Sequence, residues 1–362
     1  MTGIRGADAL VGETLNGRYK LLEELATVQP DGERRSRTGC YHAVDTKNGD
    51  KAVFVKAVDF RHEDHAGDVD RLQNMVQEFV NEREIASRCK TLSRVVSILD
   101  HDKAKIFGNI VHYLVYDFEK NRSRSPIPAH QTPVERVKTL HGIAAALRQL
   151  HTNGIAHHDL SFRNTVQGNA CGRTKICDFG SASFVRSSGS VPHDEYPVIG
   201  AVDVAPPEAQ YGYKPLDSRV RHFAYDCYSL GSLLFRCFLN REYSLFEDWH
   251  SFSFSVLCFL PEGQQPNQWC QYGEYAELIP ILREASIKVV NDAIVGPTPE
   301  IEQDVKKAVL ALCDPDPLRR GVHGLRRTNG NPYSLEKFVS FFDRLSRSCE
   351  VALAVGKARQ ES

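Results

Sequence analysis

The feature that most constrains the fold is a change in hydrophobic periodicity along the chain. From residue 19 to residue 118, short runs of strand-forming residues alternate with turn residues, and one helix-spaced stretch interrupts them at 69–90. After a polar, proline-containing segment at 119–132, helical spacing dominates, beginning with Pro133–Gly154. Because side chains repeat every two residues in a strand and about every 3.6 in a helix, we expect a strand-rich first part and a mainly helical second part.

Local signals predict the individual elements. Asn48-Gly49 marks a hairpin turn, because glycine tolerates positive φ at little cost. Residues 1–17 are polar and glycine-rich and are expected to form a flexible leader, and 349–362 a C-terminal tail. Further strands are predicted at Ala52–Lys56, Val95–Leu99 and Ile110–Phe118, and further helices at Tyr225–Leu239, 304–313 and 334–348.

Two short polar motifs stand inside hydrophobic frames in the second part. The sequence HHDLSFRN occupies 157–164, and DFG occupies 178–180. Together they supply two carboxylates, Asp159 and Asp178, and one carboxamide, Asn164. Phosphoryl transfer uses such a set, because one Asp receives the proton of the attacking hydroxyl while an Asn and a second Asp hold Mg²⁺.

The pattern H-x-D-L-x-x-x-N followed by D-F-G resembles the protein kinase superfamily, over roughly residues 18–345. The resemblance implies an α+β, two-lobed fold with a small β-rich N-lobe (18–116), a hinge (117–120) and a larger, mainly helical C-lobe (121–348). It also implies ATP and Mg²⁺ as cofactors and a protein substrate.

The resemblance assigns chemistry to four residues of the second part. Asp159 would be the catalytic base, Asn164 and Asp178 the Mg²⁺ ligands, and Arg163 a stabiliser of the transferring phosphoryl group. The alternative for Asp159 and Asn164 is local turn capping, which is a common use of both residue types.

The resemblance also assigns residues that seat the nucleotide. Lys56 ends a strand-like run where the family has its phosphate-binding lysine, and Glu82 matches the helix glutamate that pairs with this lysine. Glu84 competes for the same role, but it lies two residues on and therefore faces another side of the helix. The simpler alternative is that these side chains are solvated charges on a strand and a helix.

Asp117 and Phe118 resemble the hinge whose backbone would bind adenine, although an edge strand that runs into a linker would look the same. The glycine-rich loop of the family is degenerate here, because only Gly32 and Gly39 remain in a longer segment. Gly39 is kept as a nucleotide-binding candidate. Arginines at 34, 35 and 37 either reach the phosphates as charges or lie in a solvated flap that grips nucleotide weakly, and a charge run favours the second.

Three further departures concern the acceptor and its control. His158 replaces the arginine that commonly pairs with a phosphorylated activation segment, which makes such control less expected despite acceptors such as Ser187 and Tyr196. Ser161 stands where serine/threonine kinases carry a lysine, and Ala201 where they often carry a threonine. The general frequency of these enzymes favours a Ser/Thr acceptor, whereas Arg163 favours Tyr.

Scaffold residues of the family are present as well. Asp226 matches the aspartate that caps the backbone of the catalytic loop, and Arg320 in Asp316–Arg320 is expected to pair with Glu208 of APPE. Small-molecule kinases generally lack this activation segment and its arginine, which leaves them as a minor alternative.

The composition excludes some other classes. Lys and Arg total 45 and Asp and Glu 46, so the net charge of −1 predicts neither a nucleic-acid-binding nor a membrane-surface protein. The ten Cys lack a C-x-x-C pair, the N-terminus lacks a secretory signal, and no eighteen-residue apolar run occurs, so a cytoplasmic location is expected. Residues 240–302 are a possible protein-partner surface, although core packing of their aromatic side chains is the simpler interpretation.

These features together predict a protein kinase that uses Mg-ATP, with Lys56, Glu82, Asp159, Asn164 and Asp178 converging on one nucleotide. The rival prediction is a pseudokinase that serves as a scaffold or regulatory binding module. The missing glycines and the changes at 161 and 201 favour the rival, whereas the intact polar set favours activity.

Overall fold

A computed structural model of the chain divides into two compact units, residues 1–120 and 121–362. The first is rich in strands and the second is mainly helical, which confirms the α+β class expected from the periodicity. The structure describes residues 10–25, 38–60, 69–118, 121–122, 131–167, 174–185, 200, 204–240, 252–260, 272–321, 333 and 335–361.

Six antiparallel strands form one sheet in the first unit. They are β1 (Thr14–Leu15), β2 (Tyr19–Glu24), β3 (Thr38–Asp45), β4 (Lys51–Val58), β5 (Ile98–Ile106) and β6 (Asn109–Asp117), and the helix α1 (Val69–Arg88) lies between β4 and β5 in the sequence. The order across the sheet is β1-β2-β3-β4-β6-β5. Alternate residues of β4 enter the core, since Val53, Val55 and Ala57 are fully buried, and this alternation turns Lys56 to the opposite face.

Two expectations about the first unit are wrong. Residues 10–17 are not a loose leader, because Leu10 and Leu15 are buried and the Leu10 amide donates to the Tyr41 hydroxyl. The strand predicted at Val95–Leu99 lies instead at β5, from Ile98 to Ile106. Its charged run at 100–105 hid the strand, because an edge strand can present polar side chains to water.

The second unit is built from helices. Its helices are α2 (Pro133–Thr152), α3 (Pro207–Gln210), α4 (Ser218–Cys237), α5 (Phe252–Cys258), α6 (Tyr272–Ala293), α7 (Pro299–Leu312) and α8 (Leu335–Glu361). A capping box begins α2: the Thr132 side chain accepts from the Glu135 amide, and Glu135 accepts from the Thr132 amide. Most of α4 is buried, and Gly231 allows close packing on α7, since a Cβ there would lie 2.4 Å from Cys313 Sγ.

The last helix is longer than predicted. The helix expected at 334–348 continues to Glu361, so residues 349–361 are not a separate tail. The apolar stripe ends before the helix does, since Val351, Leu353 and Val355 are exposed. Residues 349–361 contain no proline, and a helix that packing has already nucleated can extend through them.

Two small sheets frame the loops that carry the polar motifs. β7 (Asn121–Arg122), β9 (Thr165–Gln167) and β10 (Thr174–Ile176) form one, and β8 (Ile155–Ala156) pairs with β11 (Ser183–Phe184) in the other. The described part of the predicted linker at 119–132 therefore includes a short strand, β7.

Two of the described aromatic side chains within 240–302 are buried in the second unit, whereas Phe254 is exposed. Phe252 is fully buried against Phe235, with ring centroids 5.1 Å apart, and Tyr275 is buried with its hydroxyl donating to Pro315 O. Trp249 and Trp269 lie outside the described residues. None of the helices in the described part of the chain combines the length and the apolar character needed to cross a bilayer.

Candidate active site

An ion pair joins β4 to α1 in the first unit. Lys56 Nζ lies 2.7 Å from Glu82 Oε2, and the Tyr116 hydroxyl donates to Glu82 Oε1 over 2.9 Å. The Glu82 side chain is only 4% exposed and that of Lys56 17%. The predicted pairing of Lys56 with Glu82 is therefore observed, and Glu84, the competing candidate, is exposed. The roles of Lys56 and Glu82 toward a nucleotide stay a prediction.

The geometry of this pair fixes the direction of the lysine. Both Glu82 oxygens have partners, so the carboxylate is held from two sides and in turn orients the ammonium. An ammonium has three N–H donors, and the ion pair leaves it positively charged and able to bind phosphate oxygens. The sequence analysis missed Tyr116, although strand alternation from Lys56 across to β6 could have found it once the register was known, with Lys56 opposite Leu114.

The other nucleotide-binding candidates of the first unit lie on neighbouring strands. Gly39 is buried in β3 opposite Ala57, one position from the Cys40–Lys56 pair. Asp117 ends β6, where its carboxylate accepts from Lys51 Nζ over 2.7 Å. Phe118 stacks on His42 with centroids 4.3 Å apart. The degenerate loop, including Gly32 and the arginines at 34, 35 and 37, lies outside the described residues.

In the second unit, Asp226 on α4 holds the start of the HHDLSFRN loop. Its Oδ2 accepts the His157 amide over 2.9 Å, and its Oδ1 accepts the His158 amide over 2.8 Å. His151 Nε2, on α2, lies 2.8 Å from Oδ2 and must donate, because an ionised carboxylate only accepts. The predicted capping of the loop backbone by Asp226 is therefore confirmed.

The negative charge of Asp226 is stabilised by the groups that surround its carboxylate. Burial alone would raise the pKa of the fully buried carboxyl, but the hydrogen bond from His151 and the nearby imidazoles outweigh it and lower the pKa to about 2. Asp226 is therefore ionised at neutral pH, and its carboxylate holds the backbone at the start of the loop in place.

Asp159 and Asn164 contact each other directly. Asn164 Nδ2 donates to Asp159 Oδ2 over 2.7 Å and to the Asp159 carbonyl over 2.9 Å. Because both partners are acceptors, the amide nitrogen must face Asp159, and the Oδ1 oxygen is the end available to a cation. Asp159 and Asn164 thus take part in local turn hydrogen bonds, and the same geometry leaves the Asn164 oxygen available for the role that the resemblance implies. The Ser161 hydroxyl accepts from the Asn164 amide and begins the 3₁₀ turn at Phe162–Asn164.

Asp178 is brought beside Asn164 by the β9–β10 ladder. Thr165, which follows Asn164, pairs with Ile176, and the Cys177 amide donates to the Asn164 carbonyl over 2.9 Å. Asp178 is half-buried and has φ of 68°, a conformation that costs a non-glycine residue about 1–3 kcal/mol. Carboxylate and amide oxygens at adjacent backbone positions fit Mg²⁺, which prefers hard oxygen ligands.

His158 does not take the place of an exposed arginine. Its ring is fully buried, Nδ1 lies 3.0 Å from the Ser181 carbonyl, and Nε2 lies 2.9 Å from His222 Nδ1. His157 is also buried, with Nε2 3.2 Å from the Cys177 carbonyl. Arg163, by contrast, is exposed in the 3₁₀ turn. The sequence analysis missed His222, which no local pattern marks.

Gly200 lies against the catalytic-base candidate. Its φ is 70°, and a Cβ there would lie 2.5 Å from the His158 carbonyl and 3.0 Å from Asp159 Cβ. A side chain at this position would therefore have to displace the backbone that carries Asp159. Ala201 and the acceptors Ser187 and Tyr196 lie outside the described residues.

The predicted brace between Glu208 and Arg320 is present. The two side chains form a bidentate ion pair, and Arg320 is fully buried. Burial alone would lower the pKa of Arg320, but the charge and hydrogen bonds of Glu208 outweigh it and raise the pKa above its ordinary value. Among the described residues, no group of three or more His, Cys, Asp or Glu side chains is placed to hold a metal ion.

Comparison with known proteins gives a family for this arrangement. The statistical model of the family described as "Protein kinase domain" matches residues 36–261. Serine/threonine-protein kinase PrkC of Bacillus subtilis is 26% identical over 234 residues, which cover 64% of this chain and 32% of that protein.

Two further relatives share parts of the chain. Serine/threonine-protein kinase PknB of Mycobacterium tuberculosis is 28% identical over 144 residues, covering 39% of this chain and 22% of that protein. Serine/threonine-protein kinase PSK1 of Saccharomyces cerevisiae is 33% identical over 93 residues, covering 26% and 6%. The matched region spans a third or less of the length of these relatives.

Proposed function

The chain belongs to the protein kinase family, and we propose that it transfers the γ-phosphoryl group of ATP to a hydroxyl of a protein substrate. The observation that carries the proposal is the arrangement of Asp159, Asn164 and Asp178 on one backbone framework. The Asn164 side chain contacts Asp159, and the Asn164 carbonyl accepts from the residue before Asp178.

Each polar residue has a chemical task in this proposal. Asp159 orients the acceptor hydroxyl and receives its proton, while its second carboxylate oxygen is steadied by Asn164. Asn164 Oδ1 and the Asp178 carboxylate would hold Mg²⁺. The metal, when bound, neutralises phosphate charge. Lys56, oriented by Glu82, binds phosphate oxygens, and the exposed guanidinium of Arg163 is a second candidate cation for the transferring group.

Serine or threonine is the proposed acceptor. The relatives reported above carry serine/threonine kinase names, and tyrosine is favoured only by the position of Arg163. Phosphoamino-acid determination on a phosphorylated protein substrate distinguishes the two. Phosphotyrosine as the main product would contradict this part of the proposal.

The alternative function is a pseudokinase with a binding role. Ser161 favours it, since its hydroxyl is used to hold the Asn164 amide where active relatives are expected to present a lysine charge. Two measurements separate the functions: thermal melting with millimolar Mg-ATP, and transfer of radiolabelled phosphate from ATP to a protein. A ligand that binds only the folded state must raise the melting temperature. A shift with measurable transfer supports the kinase, a shift without transfer supports the pseudokinase, and no shift contradicts nucleotide binding altogether.

A further inference from the structure

Two buried histidines form a pair behind the HHDLSFRN loop. His158 belongs to the loop, and His222 belongs to α4, one helical turn before Asp226. The two residues are 0% and 1% exposed to solvent. His158 Nε2 and His222 Nδ1 are 2.9 Å apart, and the ring centroids 4.9 Å apart. Among the described residues, the Asp226 carboxylate, Arg221 and Tyr225 are ionisable groups that lie near the pair. Nothing in the catalytic roles proposed above uses this pair.

The partners of the pair fix where its protons lie. The Ser181 carbonyl can only accept, so His158 Nδ1 carries a proton and donates to it over 3.0 Å. In a neutral ring, His158 Nε2 then accepts, and His222 Nδ1 must donate. Burial, reinforced by His158 and Arg221, lowers the pKa of His222 to about 2, so His222 itself is neutral at neutral pH. The result is a directed chain from His222 through His158 to the Ser181 backbone.

That chain ends three residues after Asp178. The Ala182 amide donates to the Phe179 carbonyl over 3.1 Å, which closes a turn with Ser181 inside it. On the other side of Asp178, the Cys177 backbone is held by the Asn164 carbonyl and by His157 Nε2. Asp178 itself has positive φ, so the backbone needs support on both sides to stay in this conformation.

We propose that His222 is a positioning residue for the metal-binding side of the site: through His158, it anchors the Ser181 carbonyl and thereby holds Asp178 in place. This inference rests on the proposed function. His222 donates the hydrogen bond that keeps His158 Nε2 an acceptor, and a buried acceptor without a donor is unfavourable.

The same contacts remove His158 from any role as a phosphate receptor. Both ring nitrogens have protein partners within the second unit, and the ring is buried. A phosphoryl group on the segment after Asp178 would need an exposed cation, which this residue does not offer. The anchor therefore works without phosphorylation.

Two amide variants of His222 make a matched test. Asn places an amide nitrogen about where His Nδ1 lies, whereas Gln places it about where Nε2 lies. His222→Asn should keep the donor to His158 and leave the half-saturating Mg²⁺ concentration within about threefold of the wild type. His222→Gln should raise that concentration about tenfold, the usual order for one lost buried hydrogen bond, with KM for the protein substrate unchanged. Equal Mg²⁺ dependence in both variants and the wild type would overturn the proposal.

Hydrogen exchange tests the anchor, the hydrogen-bonded chain from His222 through His158 to the Ser181 carbonyl, independently of catalytic activity. Amides of 179–185 should exchange about tenfold faster in His222→Gln than in the wild type or His222→Asn. If the wild type transfers no phosphate but this difference is present, the proposed function fails and the anchor stands. If exchange is the same in all three proteins, the anchor fails whatever the activity.

Phosphatase treatment of the wild-type protein tests whether Asp178 is held in place without phosphorylation of the segment that follows it. Activity should stay within about threefold of that of the untreated protein, and a Ser187→Ala, Ser188→Ala, Ser190→Ala, Tyr196→Phe variant should behave alike. A loss of tenfold or more on phosphatase treatment would show that a phosphoryl group supports the segment, and it would contradict an anchor that works without phosphorylation.

Discussion

Replacing Glu208 with Gln should be among the most destabilising single changes in the second unit. The substitution keeps the size of the side chain but removes its charge. Arg320 then remains a fully buried guanidinium that has lost the carboxylate charge of Glu208. Its contacts to the Asp314 and Ala224 carbonyls and to the Tyr228 ring supply dipoles but no full charge.

The expected size follows from the burial. Breaking a buried ion pair by removing one partner typically costs about 3–5 kcal/mol, because the remaining charge stays desolvated. The contacts of Arg320 to two carbonyls and to the Tyr228 ring place Glu208→Gln at the lower end, at about 3 kcal/mol. The Asp343–Arg347 pair is the matched control, since both side chains are exposed and four residues apart. Asp343→Asn should cost less than about 0.5 kcal/mol.

Urea unfolding followed by circular dichroism measures both variants. The double variant Glu208→Leu, Arg320→Met should be more stable than Glu208→Gln alone, since it leaves no unpaired buried charge. The reasoning is refuted if Glu208→Gln changes the free energy of unfolding by no more than Asp343→Asn does.

Three other changes should have distinct effects. The free energy of unfolding of the wild type should fall on acidification below about pH 6.5, by up to about 1.4 kcal/mol per pH unit, because His222 binds a proton in the unfolded state but not when it is buried. Urea unfolding measured at each pH should give a shallower slope for His222→Asn. Glu82→Gln should weaken Mg-ATP binding by about tenfold in calorimetry, because Lys56 loses the partner that orients it. Gly200→Ala should reduce kcat at least tenfold in a phosphotransfer assay, because its Cβ would displace Asp159.

Each of these has a contradicting outcome. Identical pH slopes in wild type and His222→Asn would mean that His222 is protonated when folded. Unchanged Mg-ATP affinity in Glu82→Gln, with Glu84→Gln as the control on the exposed side of α1, would show that the ion pair plays no part in binding. Wild-type kcat in Gly200→Ala would show that the close approach to Asp159 can relax without consequence.

Local patterns in the sequence were enough to predict functional residues whose contacts are to residues nearby in the sequence. Asp159 and Asn164 lie five residues apart and contact each other. Lys56 and Glu82 were assigned by the resemblance to the family, whose strand lysine and helix glutamate they match. The family pattern supplied the long-range pairs, Asp226 with the loop and Glu208 with Arg320, because periodicity alone says nothing about contacts between distant residues.

Contacts outside that pattern could not be predicted. His158 and His222 are 64 positions apart, and no spacing rule connects them. Tyr116 was missed because the register of β6 on β4 is a tertiary property. The course of β5 was hidden by charged residues at an edge, and the packing of Leu10 under Tyr41 overrides the polar composition of residues 1–17. In each case a long-range contact outweighs the local signal.

The most direct test of the central claim compares the wild type with Asp159→Asn in a single-turnover phosphotransfer assay and in Mg-ATP binding. The amide keeps an oxygen for the Asn164 contact but cannot accept the proton of the acceptor hydroxyl. Transfer should fall by about 100- to 10,000-fold, while affinity for Mg-ATP changes less than about threefold. Transfer near the wild-type rate would contradict the assignment of Asp159 as the catalytic base.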